Sequence, residues 1–157
     1  MTNLIRTATA ADLGELFTLQ RAAFVDEATL YGTPDVPALT ESIDDFTARH
    51  GRSTTFVSER GPRIIGAVSL IRHDELFDVE RLMTAPDARG SGVASALMTH
   101  VDDHLRASGE SAVQLVVGER AEDNRRLYGR LGYAETARWA SAEFPDVVLI
   151  RMIKQLT

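Results

Sequence analysis

The chain has 157 residues, 44% hydrophobic and 25% charged, with no cysteine and a formal net charge of −6. That length fits one domain over residues 1–157, with a core that needs no disulfide or metal staple. The missing cysteines exclude thiol nucleophiles, thiolate metal sites and disulfides, and the acidic balance argues against general nucleic-acid binding.

Leu4 to Ala8 reads as a short strand. Thr9-Ala10-Ala11-Asp12 is close to a capping box, a hydroxyl at the N-cap and a carboxylate three residues on. The helix behind it sets Leu13, Leu16, Phe17, Gln20 and Phe24 at helical spacing. Tyr31 to Pro37 is a loop broken by Gly32, Pro34 and Pro37, with the carboxylates Asp26, Glu27 and Glu41 around it. Thr40 to His50 is a second helix, with Ile43 and Phe46 on one side. Thr55 to Glu59 and Arg63 to Arg72 are strands joined by a hairpin signal at Arg60-Gly61-Pro62, and Phe77 to Thr84 is the next strand.

The main helix begins near Gly92, buries a stripe of Val93, Leu97, Val101 and Leu105, and stops at Gly109. Val113 to Val117 is an apolar strand of a sheet interior. Glu122 to Leu131 is the last helix, stopped by Gly132. Ala134 to Ala142 and Val147 to Ile153 close the chain as a strand pair around Phe144-Pro145-Asp146. The expected fold is a mixed α/β (α+β) sheet of seven strands, with about four helices on both faces. No apolar run approaches the ~20 residues that span a bilayer. Residues 1–11 carry no signal-like stretch, so a soluble cytoplasmic protein is the default expectation.

The chemistry concentrates in Arg89-Gly90-Ser91-Gly92-Val93-Ala94-Ser95. A glycine turn that opens a helix presents unpaired N–H groups and the positive end of the helix dipole, a site for phosphate or pyrophosphate. A P-loop is excluded, because no Gly-Lys-Ser/Thr ending exists. A dinucleotide fingerprint fits poorly. Its third glycine is Ser95, Pro86 separates strand from turn, and too little chain follows.

Read with its flanks, Leu82-Met83-Thr84-Ala85-Pro86-x-x-Arg89-Gly90-x-Gly92-Val93-Ala94 resembles the core motif of the GNAT superfamily of N-acetyltransferases. Asn124-Arg125-Arg126-Leu127-Tyr128-Gly129-Arg130-Leu131-Gly132-Tyr133 is similar to that family's second signature, in the right order. Ala94 departs from the commoner glycine at its position.

The resemblance implies a mostly antiparallel sheet with a splayed central strand pair, acetyl-CoA as cosubstrate, and direct transfer to a primary amine. It assigns the pyrophosphate to the loop from Arg89 to Ser95, with a charge-assisted contact from the Arg89 side chain. It assigns the pantetheine arm to the backbone of Leu82, Met83 and Thr84, and an oxyanion contact to the Met83 amide. Asn124 is a further cofactor contact or part of a first helical turn. Tyr128 is the implied general acid. A phenol of reference pKa about 10 can protonate a departing thiolate of reference pKa about 8.5.

Strand alternation puts Asp78, Glu80, Leu82 and Thr84 on one face, and either Asp78 or Glu80 can relay the amine's proton through water. Glu119 is a third candidate base. His100 and His104 stand four apart on the main helix, but no third ligand is evident and no metal is expected. Trp139 and Phe144 read as core or dimer-contact residues, and homodimers are common in the family. The acceptor is a small-molecule or peptide amine, with no nucleic acid or membrane partner. Two other readings stay open: a non-catalytic acyl-CoA-binding module of the same fold, and a dinucleotide-dependent oxidoreductase.

Overall fold

The computed structural model describes residues 3–144 and 146–157. Pro145, expected in the last turn, lies outside the described residues. The strands are β1 (Leu4–Thr7), β2 (Thr54–Arg60), β3 (Arg63–His73), β4 (Leu76–Thr84), β5 (Ala112–Gly118), β6 (Ala134–Ala140) and β7 (Val148–Gln155). They form one sheet in the order β1-β2-β3-β4-β5-β7-β6. Every neighbouring pair is antiparallel except β4 and β5.

The helices are α1 (Leu13–Ala23), α2 (Val25–Tyr31), α3 (Pro37–Thr40), α4 (Ile43–Gly51), α5 (Val93–Ala107) and α6 (Glu122–Arg130). The four expected helices are present, and α2 and the single turn α3 are additional. The first helix ends at Phe24, and α2 continues from Val25 until Gly32 takes the left-handed conformation at φ 68°. The apolar residues of α2 give no buried stripe, since Val25 and Leu30 are exposed, so periodicity did not mark it.

The central strands β2 and β3 are buried on both sides because helices cover both faces there. On one face, Val93, Leu97, Val101 and Leu105 of α5 are at most 2% exposed, each worth roughly 1.5–3 kcal/mol of burial. On the other, α1 supplies Leu16 and α4 supplies Phe46, both fully buried. Ile43 does not share that burial. It is half-exposed, because Ser42 caps α4 by accepting from the Asp45 amide at 3.0 Å and turns Ile43 outward. The Thr9 box forms as expected: Asp12 accepts from the Thr9 amide at 2.7 Å and also binds Arg6. His100 and His104 both pack edge-on to Phe56. No helix among the described residues is long and apolar enough to cross a membrane.

Two irregularities position the site. β4 and β5 pair only at Phe77↔Val113, Asp78↔Gln114 and Val79↔Leu115. Beyond that, β4 runs to Thr84 and β5 to Gly118 without pairing to each other, while each keeps its outer partner. The sheet therefore splays open at its centre. In β4 the register to β3 shifts between Glu80↔Ser69 and Met83↔Ala67, so Arg81 and Leu82 together face Val68. This is a β-bulge, and Arg81 sits in it at φ 53°.

The bulge overturns the expected alternation. Glu80 and Met83 stand opposite Ser69 and Ala67 on one face, whereas Thr84 stands opposite Gly66 on the other. Asp78 and Glu80 therefore do not share their face with Thr84.

Candidate active site

The chain leaves β4 through a 3-10 turn at Pro86–Ala88 and enters α5 through two left-handed glycines, Gly90 at φ 76° and Gly92 at φ 82°. Only glycine takes this pair of conformations without strain. Ala88 donates to Ala85 at 2.9 Å, and the next amide with a backbone acceptor is Ala96, on Gly92 at 3.0 Å. The amides from Arg89 to Ser95 have none among the described residues. A Cβ on Gly90 or Gly92 would meet nothing within 4 Å, so the cradle above the loop is open. Free donors, an open cradle and the N-terminus of a 15-residue helix fit a pyrophosphate. The Arg89 guanidinium, expected to reach the pyrophosphate, is engaged within the protein. It binds Asp26 and donates to the Ala23 carbonyl at 3.0 Å, tying the loop to the α1–α2 junction.

The unpaired edge of β4 leads straight into this loop. Ala85 donates to Ile65 of β3 at 2.8 Å, and antiparallel pairs alternate between bonded and non-bonded. Met83, opposite Ala67, therefore turns its backbone toward β3. Leu82 and Thr84 turn theirs into the splay. The expected oxyanion contact from the Met83 amide is corrected accordingly. A regular strand continued from Val79 would place Met83's backbone at the splay, and the bulge places the backbone of Leu82 and Thr84 there instead.

Tyr128 lies on α6 and belongs to the buried core. It is 8% exposed and meets Tyr133 edge-on at 5.9 Å between centroids. Burial, with a smaller contribution from Glu27, pushes its phenol above the ordinary range, so it is protonated at any working pH. Asn124 lies exposed in the first turn of α6.

The carboxylates are distributed differently from expectation. Asp78 accepts from Gln114 at 2.7 Å, and His73 Nε2 lies 3.9 Å from Asp78 and 3.7 Å from Glu80. Glu119 is paired to Arg138 at 2.9 Å. None of these lines the cavity beside the splay. That cavity, about 680 Å³, is bounded by α2, residues 33–37, Gly118 and the β6–β7 connection. Its walls include Val36, Phe144 and Leu149. Its charged residues are Glu27, Asp35, Glu143 and Asp146, with no Lys, Arg or His among them.

Glu27, which the sequence placed only beside the Tyr31 to Pro37 loop, lines this cavity. Burial pushes its carboxyl up, against an opposing pull from Arg81. The available signal for α2, and hence for Glu27, was weak: acidic residues Asp26 and Glu27 in the first turn and Gly32 as a left-handed stop.

Residues 14–133 match the model of the acetyltransferase (GNAT) family. The chain is 29% identical over 144 residues to an IAA acetyltransferase of Azospirillum brasilense, covering 92% of this chain and 83% of that one. It is 27% identical over 128 residues to the UPF0157 protein YqkA of Bacillus subtilis, covering 80% of this chain but only 36% of that protein. YncA of Salmonella typhimurium, solved with its cofactor acetyl-CoA, superposes with a TM-score of 0.78 at 19% identity, over 100% of this chain and 95% of that one. With the family model spanning most of its length and the fold shared throughout, the chain belongs to the GNAT acetyltransferase family.

Proposed function

We propose that the protein is an acetyl-CoA-dependent N-acetyltransferase that transfers acetyl directly to a primary amine. The observation that carries this reading is the continuity of the open β4 edge with the free amides of Arg89 to Ser95. A pantetheine arm can pair with Leu82 and Thr84 as an added strand while its pyrophosphate rests on the α5 N-terminus.

In this reading the acceptor nitrogen attacks the thioester carbonyl and a C–N bond forms. The carbonyl oxygen becomes an oxyanion facing the N–H groups of the splay edge. As the C–S bond breaks, Tyr128 donates its proton to the thiolate. The amine's own proton leaves to a carboxylate or its bound water. Asp78 and Glu80 are candidates, and Glu27 is favoured by its place in the cavity and its raised carboxyl. With no cysteine in the chain, transfer needs no thiol acyl-enzyme.

Four carboxylates and no cation among the lining residues favour an acceptor that keeps a second positive charge beside its reacting amine. The test is amine-dependent release of coenzyme A, read with a thiol reagent, across monoamines, diamines, amino acids and short peptides. Diamines are expected to give the highest kcat/KM. Tight acetyl-CoA binding with no amine-dependent release would favour a non-catalytic module.

A further inference from the structure

We propose that Glu41 is a positioning residue: through Arg81 it locks the β4 bulge that turns Leu82 and Thr84 toward the thioester. This rests on the reading of the β4 edge as the thioester-binding strand.

Among the described residues two non-glycine residues have positive φ, Asp74 at 54° and Arg81 at 53°. Asp74 lies in the β3–β4 hairpin turn, where a short polar side chain tolerates that conformation. Arg81 lies within a strand and has a Cβ, so its backbone is strained and must be held by its surroundings.

The holding group is Glu41, in the connection between α3 and α4. Its Oε2 lies 3.7 Å from Arg81 Nη2, and it is the one acid within ion-pair range of Arg81 among the described residues. Its Oε1 is fixed from the other side, accepting from Gln20 Nε2 at 2.6 Å and from Arg49 Nη2 at 3.1 Å. Gln20 is fully buried, donates also to the Ala38 carbonyl at 3.0 Å, and accepts from Arg49 at 3.1 Å. One rigid carboxylate thus sits between two largely buried guanidiniums, with Glu27 and Glu80 the remaining charges facing Arg81.

Without Glu41, Arg49 and Arg81 face each other as like charges, and nothing else holds the Arg81 side chain on that side. The strand can then relax toward regular alternation. That relaxation replaces Leu82 and Thr84 with Met83 at the splay, because a one-residue shift reverses which backbone groups face an edge.

The test compares the full-length protein with Glu41→Ala, Arg81→Gly, Arg81→Ala and the Glu41→Ala/Arg81→Gly double variant. Two quantities are read: acetyl-CoA affinity by calorimetry and kcat/KM with the best amine, both well below each melting temperature. Glycine adopts φ near 53° without strain, so the order expected is parent, then Arg81→Gly, then Arg81→Ala. Glu41→Ala is expected to cost about tenfold or more in kcat/KM in the parent, the scale of a displaced oxyanion donor. In the Arg81→Gly background the same change costs less than about twofold, since no strained residue is left to hold.

A role limited to stability lowers melting temperatures but does not separate glycine from alanine at position 81. Equal values for those two variants, or an equal cost of Glu41→Ala in both backgrounds, overturn the inference alone. A parent that fails to bind acetyl-CoA overturns the underlying reading as well.

Discussion

Gly66 offers a direct probe of how the glycine turn before α5 is seated. It lies on β3 opposite Thr84 and faces α5. A Cβ placed there would stand 2.5 Å from Val93 Cγ1, 3.1 Å from the Met83 carbonyl oxygen and 3.2 Å from Leu97 Cδ1. Carbon atoms in contact prefer about 3.5–4.0 Å, so Gly66→Ala forces about 1 Å of separation between β3 and the first turn of α5. Val93 and Leu97 are 2% and 0% exposed, and neither has room to rotate aside.

Overpacking of this kind costs roughly 1–3 kcal/mol, which lowers Tm by about 3–10 °C for a chain of this size. The displaced turn carries the free amides of Arg89 to Ser95, so acetyl-CoA affinity falls too, by about tenfold or more for a 1 Å displacement. Thermal unfolding followed by circular dichroism and a calorimetric titration read both effects. Gly14→Ala is the control. Gly14 is exposed within α1 and its Cβ would meet nothing within 4 Å, so Tm holds or rises. If Gly66→Ala leaves Tm and affinity at parental values, the helix does not seat on this glycine and the argument for the loop's position is refuted.

Three further outcomes follow from the site and its surroundings. Tyr128→Phe is expected to lower kcat by about 10²–10⁴-fold, the range of a lost general acid, with acetyl-CoA affinity little changed; an unchanged kcat in stopped-flow or steady-state assays removes Tyr128 from that role. Glu27→Gln is expected to lower kcat/KM and to abolish the loss of rate on the acid side, because a base with a raised pKa must ionise before it can accept a proton; a retained acid limb assigns the base elsewhere.

His50 concerns stability rather than catalysis. Burial and the nearby Arg49 hold it at about 4 in the folded state, against about 6.5 when unfolded. Below about pH 6.5 the unfolded chain binds more protons, so stability is expected to fall as pH drops toward 4. Urea midpoints should show a shallower fall for His50→Gln, and equal slopes would exclude this histidine.

Much of this molecule was legible in its sequence, and the missed parts share a physical origin. The α5 stripe, the Gly109 stop and the succession of strands and helices along the chain reflect local periodicity and glycine chemistry, which single residues carry. The loop from Arg89 to Ser95 was readable for the same reason: left-handed glycines before a helix have few other uses.

The β4 bulge was not readable, because the residue in the left-handed position is Arg81 rather than a glycine, and what holds it is Glu41, distant in sequence. Assigning the splay-facing amide to Met83 instead of Leu82 and Thr84 followed directly from that. Helix α2 escaped because its apolar residues, Val25 and Leu30, face outward, and with it went the acidic wall that contains Glu27. The partner of Arg89 was hidden for a similar reason, since Asp26 lies on that unrecognised helix.

The central claim is that the cofactor occupies the splay between β4 and β5 and the turn before α5. Amide hydrogen exchange with and without acetyl-CoA tests it most directly, with NADH as the competing ligand. The account predicts new protection at Leu82, Thr84 and the amides from Gly90 to Ser95 with acetyl-CoA and none with NADH. Protection confined to other segments, or produced by NADH instead, contradicts it.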